Sequence, residues 1–184
     1  MRKKIEIKKL DREINNCRKC PLRKTAKKAV PGEGPASAKI LLIGEAPGRE
    51  EDLTGRPFVG RAGKLLDQLL KEAGIKREEI FITSVIKHRP PKNRKPATTE
   101  IKSCLPYLER QLKIINPRKI ILLGGVAFSV FFPKEKLKDS KGRLIKKYGK
   151  EFFIVYHPAA GLRSTRTKKI LEKDFKKIRE SLKR

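Results

Sequence analysis

At 184 residues the chain is long enough for one well-covered domain and cramped for two. It carries 48 Lys+Arg against 20 Asp+Glu, a formal net charge of +28, with 38% hydrophobic residues, so a packed core is available and wholesale disorder is excluded. No apolar run approaches the ~18 residues that cross a bilayer, and the start Met1–Ile7 lacks an apolar signal core, so a cytoplasmic protein is expected.

Residues 1–38 precede the first strand and hold a helix ending at Asn15-Asn16 and the pair Cys17-x-x-Cys20, an appendage to a single domain spanning 1–184. Four short apolar runs then read as strands: Ile40–Ile43, Ile80–Ile86, Ile120–Leu123 and Phe152–Tyr156. They are continuous rather than alternating, the mark of parallel strands covered on both faces. Between them lie helical stripes. Ala62, Leu65, Leu66, Leu69, Leu70 and Ala73 form one, stopped by Gly74; Ile101, Cys104, Leu105, Leu108, Leu112 and Ile115 form the next, begun near Thr98 and ended by Asn116-Pro117. A shorter helix, Val126–Phe132, follows Gly124-Gly125, and an amphipathic segment, Lys168–Arg184, closes the chain. Strand and helix alternate throughout, so the expected fold class is α/β, with a four-stranded parallel sheet between helical layers.

A surplus of 28 positive charges creates a field of several kT, for which nucleic acid is the expected partner and an anionic membrane the competitor. The closing helix reads as packed on the core with a solvated Lys face, so no membrane partner is expected. The proline-stiffened run Lys87–Pro96 suits a phosphate backbone, though it serves equally as a solubilising loop. Only four Asn and two Gln stand beside the Lys excess, a composition resembling proteins from hot environments, though a Lys-rich genome or a polyanion binder accounts for it equally well. Three cysteines cannot all pair, and the Cys17-x-x-Cys20 spacing with Cys104 points to a metal or cluster.

In parallel sheets ligands bind at the carboxyl ends of the strands. Glu45 follows the first, Ser84 lies in the second and His157 follows the fourth, so a carboxylate, a hydroxyl and an imidazole share one rim. Gly44-Glu45-Ala46-Pro47-Gly48 is a tight turn whose proline sets the direction of Glu45, and it is no phosphate-binding fingerprint, since neither G-x-x-x-x-G-K-[ST] nor G-x-G-x-x-G occurs. Taken singly, Glu45 could be a surface carboxylate, Phe58 a core residue and His157 a structural histidine.

Together, Cys17-Arg-Lys-Cys20, Val30-Pro-Gly-Glu-Gly34, Gly44-Glu-Ala-Pro-Gly48, Gly55-Arg-Pro-Phe-Val-Gly-Arg-Ala-Gly63 and His157-Pro158 closely resemble the family-four uracil-DNA glycosylases, in order and spacing from about Asn15 to Arg163. The resemblance implies an α/β/α sandwich on a four-stranded parallel sheet, and a monofunctional, lysine-independent hydrolase that flips uracil out of single- or double-stranded DNA and cuts its N-glycosidic bond to initiate base excision repair. It implies catalysis by Glu45, acting on water and the cationic sugar, and by His157, acting on uracil O2 with the Ala46 amide. Substrate contacts would also involve Pro47, Phe58 as the stacking ring, Ser84, and Glu51 near C5. Leu162 would wedge into the vacated stack and Arg163 would touch a phosphate. A monomer is expected.

Two positions depart from the family pattern. Where the family has the third of four cysteine ligands stands His88, so the expectation is a 4Fe–4S cluster held by Cys17, Cys20, His88 and Cys104, with a Cys₃His zinc site as competitor. Where the family commonly has Asn, whose amide matches both O4 and N3–H of uracil, stands Ser84, shorter and with one rotatable hydroxyl to read an edge atom directly or through water. The rival readings are therefore a non-catalytic DNA-binding relative or a glycosylase for another deaminated base.

Overall fold

A computed structural model describes residues 1–182; the last two residues of the amphipathic segment expected over Lys168–Arg184 lie outside the described residues. In chain order the elements are α1 (Arg2–Asn15), α2 (Leu22–Thr25), β1 (Ile40–Gly44), α3 (Arg49–Thr54), α4 (Arg61–Glu72), β2 (Phe81–Ser84), α5 (Thr98–Ile115), β3 (Lys119–Leu123), α6 (Gly125–Phe131), α7 (Leu137–Ser140), β4 (Leu144–Lys147), β5 (Lys150–Val155), α8 (Pro158–Gly161) and α9 (Thr165–Leu182).

The sheet order is β2-β1-β3-β5-β4. The first four strands in that order are parallel, and β4 pairs antiparallel with β5 through Leu144↔Phe153 and Ile145↔Phe152. Each parallel strand sends alternate residues to opposite layers. Leu41, Ile43, Phe81, Ile120, Leu122, Phe152 and Ile154 pack under α1, α5 and α6 with Leu10, Ile14, Leu108 and Phe128. Leu42, Ile82, Ile121, Leu123, Phe153 and Val155 pack under α4 and α9 with Leu66, Leu69, Leu171 and Phe175. Burial on both faces is why these strands read as unbroken apolar runs. The expected α/β/α sandwich is present, and α1 is part of one of its outer layers, sealed against α5 by Ile7, Leu10 and Ile14.

Two expectations about the sheet need correction. It has five strands, not four: Leu144–Lys147 adds an edge strand exposed along one face, joined to β5 by a turn in which Tyr148 and Gly149 have φ of 51° and 68°. Lysines along an outer strand disfavour pairing with another sheet edge, which fits its position and hides it from a hydrophobic scan. The second strand ends at Ser84 rather than Ile86. Beyond it Val85 and Ile86 still donate to the Gly44 and Glu45 carbonyls at 2.9 and 3.2 Å, while the preceding segment runs beside this strand and its continuation, with Glu33 bridging to Ile82 and Val30 N–H donating to the Lys87 carbonyl at 2.8 Å. Among the described residues no helix is long and apolar enough to cross a membrane.

Candidate active site

The carboxyl ends of β1 and β5 and the loop before α4 enclose a cavity of about 630 Å³, lined by Glu45, Ala46, Pro47, Glu51, Phe58, Ser84, His157 and Arg163 among others. That size suits a small-molecule site. The three polar groups expected on one rim thus share one cavity, and Phe58 joins them.

Phe58 answers both of its readings. It is 6% exposed and packs with the α4–α9 core, yet its ring also lines the cavity, 5.7 Å from the His157 ring with the planes at 29°. Its φ is 51°, a left-handed backbone that a phenylalanine adopts only when held there. Several groups hold it. A side chain at Gly63 would run into the Phe58 carbonyl, and one at Gly44 would meet the ring edge at 2.6 Å, so both glycines serve close approach. The Arg77 guanidinium donates to the Pro57 carbonyl at 2.6 Å.

Glu51 supplies the remaining support. One carboxylate oxygen accepts from the amides of Val59 and Gly60, both at 2.9 Å, and the other from Gly48 at 3.0 Å, the N3-to-N-cap half of a capping box at the start of α3. Both oxygens are therefore engaged with main chain. Glu51 lines the cavity as expected, and its carboxylate pins the Phe58 loop to the Glu45 turn.

His157 caps the short helix α8, whose first residue is Pro158. Its Nδ1 accepts the Ala159 amide at 3.2 Å, which leaves the remaining imidazole proton on Nε2. Burial pushes its pKa down to about 4, opposed by the Glu51 charge, so the ring is neutral at pH 7. Glu45 is half-buried, and burial raises its pKa while Lys95 draws it back toward the ionised form. Ser84 is buried with its hydroxyl beside Gly44. Leu162 is 42% exposed at the end of α8, next to Arg163 on the cavity wall.

The basic run Lys87–Pro96 splits in the structure. Lys87 and His88 are buried, which corrects their reading as part of a solvated loop. Arg94 lines the cavity while forming a two-pronged ion pair with Glu100, at 2.6 and 2.9 Å. Composition drew attention to the charges but gave no hint of that pairing.

Cys17 and Cys104 are buried, Cys20 is half-buried, and none is in a disulfide. The thiols of Cys20 and Cys104 are raised by burial and by neighbouring cysteines, and each sulfur faces main-chain amides, Leu22 and Arg23 for Cys20 and Lys87 for Cys104. The Lys19 amide lies 3.5 Å from the Cys17 sulfur. His88 is 3% exposed, and its Nε2 is buried without a hydrogen-bond partner. The charged groups that act on His88 are Arg23 and Asp52 rather than the cysteines, but a buried imidazole nitrogen without a partner and buried, free thiols are donor types that a soft metal centre takes. Among the described residues, however, no three such side chains are drawn to metal-holding geometry.

Residues 31–183 match the family model described as the uracil DNA glycosylase superfamily. Among curated proteins, the Type-4 uracil-DNA glycosylase of Sulfurisphaera tokodaii is 46% identical over 186 residues, covering 95% of this chain and 84% of its own. That of Saccharolobus solfataricus is 47% identical over 180 residues, covering 92% and 83%, and that of Archaeoglobus fulgidus is 46% identical over 178 residues, covering 92% and 89%.

Proposed function

The chain belongs to the uracil DNA glycosylase superfamily, on its type-4 branch, and acts as a uracil-DNA glycosylase in DNA repair; from that premise we propose how the cavity does the chemistry. A base inside a duplex is out of reach, so the uridine is extruded into the cavity at a cost of a few kcal/mol of stacking. Phe58 forms the floor on which the ring stacks. As the C1′–N1 bond breaks, the sugar gains oxocarbenium character and negative charge gathers on uracil O2.

The neutral His157 donates its Nε2 proton as a hydrogen bond to that oxygen, assisted by the Ala46 amide. The bond strengthens as charge appears, so it favours the transition state over the substrate. Glu45, on the Pro47-stiffened turn, orients or deprotonates the attacking water and faces the cationic sugar. Ser84 reads one edge of the base. Leu162 wedges into the vacated stack and Arg163 binds a flanking phosphate. Cys17, Cys20, Cys104 and His88 would hold an iron–sulfur cluster, which when bound supplies a structural cross-link between the N-terminal segment and α5.

The observation that carries this reading is the joint placement of Glu45, Phe58 and a His157 with a free Nε2–H around one cavity. Incubation with oligonucleotides containing uracil, hypoxanthine or only normal bases tests it. Strand breakage after alkali at uracil alone is the expected result. Cleavage at hypoxanthine instead, or binding without cleavage, overturns it.

A further inference from the structure

Lys87 is 1% exposed, an unusual setting for an ammonium. Its Nζ donates to Thr83 Oγ1 at 2.6 Å, to the Ser84 carbonyl at 2.7 Å and to Gln111 Oε1 at 2.8 Å. A neutral amine has only two N–H bonds, so three acceptors call for the charged form. A buried charge costs several kcal/mol unless its bonds are satisfied, and an apolar side chain of the same length would fill the space more cheaply.

The acceptors belong to two parts of the chain, the end of β2 and α5, and both lead on to a third. Thr83 Oγ1 donates onward to the Pro31 carbonyl at 2.9 Å, and Gln111 Nε2 donates to the same carbonyl at 2.7 Å. The Lys87 carbonyl takes the Val30 amide, and its own amide faces the Cys104 sulfur. One residue therefore joins the end of β2, the Val30–Pro31 wall segment and α5. Val30 and Ser84 both line the cavity. Serine reaches into that cavity by a single short bond, so where its hydroxyl stands is decided by where its main chain stands.

We propose that Lys87 is a positioning residue for base recognition: it acts through Ser84, fixing the main chain from which that hydroxyl meets the flipped base, and ties its placement to the Cys104-bearing helix. The inference rests on the glycosylase reading of the cavity. It differs from a solubilising or phosphate-binding lysine, because the ammonium has no access to DNA.

The test is a double-mutant cycle with Ser84→Ala and Lys87→Met, read by calorimetric binding of free uracil and by kcat and KM on uracil-containing DNA. Lys87→Met should weaken free-uracil binding about tenfold while leaving affinity for abasic-site DNA unchanged. In the Ser84→Ala background the same change should weaken uracil by less than about twofold, because the group it acts through is gone. Effects that multiply, or equal weakening of uracil and abasic DNA, overturn the proposal. If Lys87→Met does not fold, Gln111→Leu removes one acceptor and the Pro31 tie and enters the same cycle with the same two outcomes. Wild-type protein that binds uracil but releases none from DNA would instead count against the glycosylase reading.

Discussion

The cavity around Glu45, Phe58 and His157 and the region around Cys17, Cys20, His88 and Cys104 are finished to different degrees by the chain itself. In the cavity every supporting bond is internal: Glu51 to three amides, Arg77 to Pro57, and Nδ1 of His157 to its own helix. In the cysteine region the three thiols are free, and Nε2 of His88 is buried and unpartnered. The cavity is set by the chain's own packing and hydrogen bonds, as preorganised catalysis requires. The cysteine region carries free thiols and an unpaired imidazole nitrogen, the donors that the proposed cluster would use. Lys87 stands between them, its amide toward Cys104 and its ammonium on Ser84.

The largest expected effect tests the finished side. Glu45→Gln or His157→Ala should lower kcat by about 10²–10³ with KM little changed, since both act on charge that exists only in the transition state. His157 also gives a sign for stability. Its folded pKa of about 4 lies below the ordinary value of 6.5, so its contribution is complete above pH 6.5 and is lost as pH falls from there through about 4. His157→Ala should therefore flatten the decline in thermal midpoint between pH 7 and 4. An unchanged decline would mean that the imidazole is not held neutral by burial.

The next effect tests the unfinished side. Anaerobically purified protein should be brown, with broad visible absorbance. Stripping the centre with chelator, or Cys104→Ser, should lower the thermal midpoint by about 10 °C, the size expected for a few kcal/mol in a domain of this length. At 25 °C the stripped protein should keep kcat within about threefold, with any loss showing in free-uracil affinity. A colourless protein with stoichiometric zinc would replace iron at the same four residues. A kcat that collapses while the protein stays folded would join the two regions into one machine.

The same contrast governs what could be read from the chain. The parallel strands were legible because burial on both faces leaves unbroken apolar runs, and Glu45 and His157 because strand ends mark the rim. β4 was not, since Leu144–Lys147 alternates exposed and half-buried residues and carries a lysine-rich edge. The left-handed Phe58 depends on Gly63, brought near only by packing of α4. Gly48-x-x-Glu51 has the spacing of a capping box, but a glycine cap has no side chain to advertise it. Lys87 reads as one more charge in a basic run; its burial depends on Gln111, 24 residues away.

Glu51 sharpens the comparison further. Glu51→Gln keeps the size but turns one acceptor into a donor facing amides, leaving at least one buried N–H unpaired at a cost of about 1–3 kcal/mol. The Phe58 loop should loosen, so kcat/KM on uracil-containing DNA should fall about thirtyfold at most. Glu51→Asp, too short to span both the Gly48 and Val59–Gly60 amides, should not rescue it. Loss of DNA binding without loss of catalysis would assign the residue elsewhere.

Leu162 carries the smallest effect, and the one that depends on the substrate rather than on the site. It sits outside the cavity, 42% exposed, so Leu162→Ala removes apolar surface that the free protein gains nothing by keeping. Its use is to fill the gap when a base leaves a duplex, a gap that a single strand does not have. The variant should therefore lose about tenfold in kcat/KM on duplex DNA, the equivalent of roughly 1.4 kcal/mol of unreturned stacking, and about nothing on single-stranded DNA. Equal loss on both substrates would make Leu162 part of the cavity's support, and the boundary between the prearranged site and its DNA surface would have to be redrawn around α8.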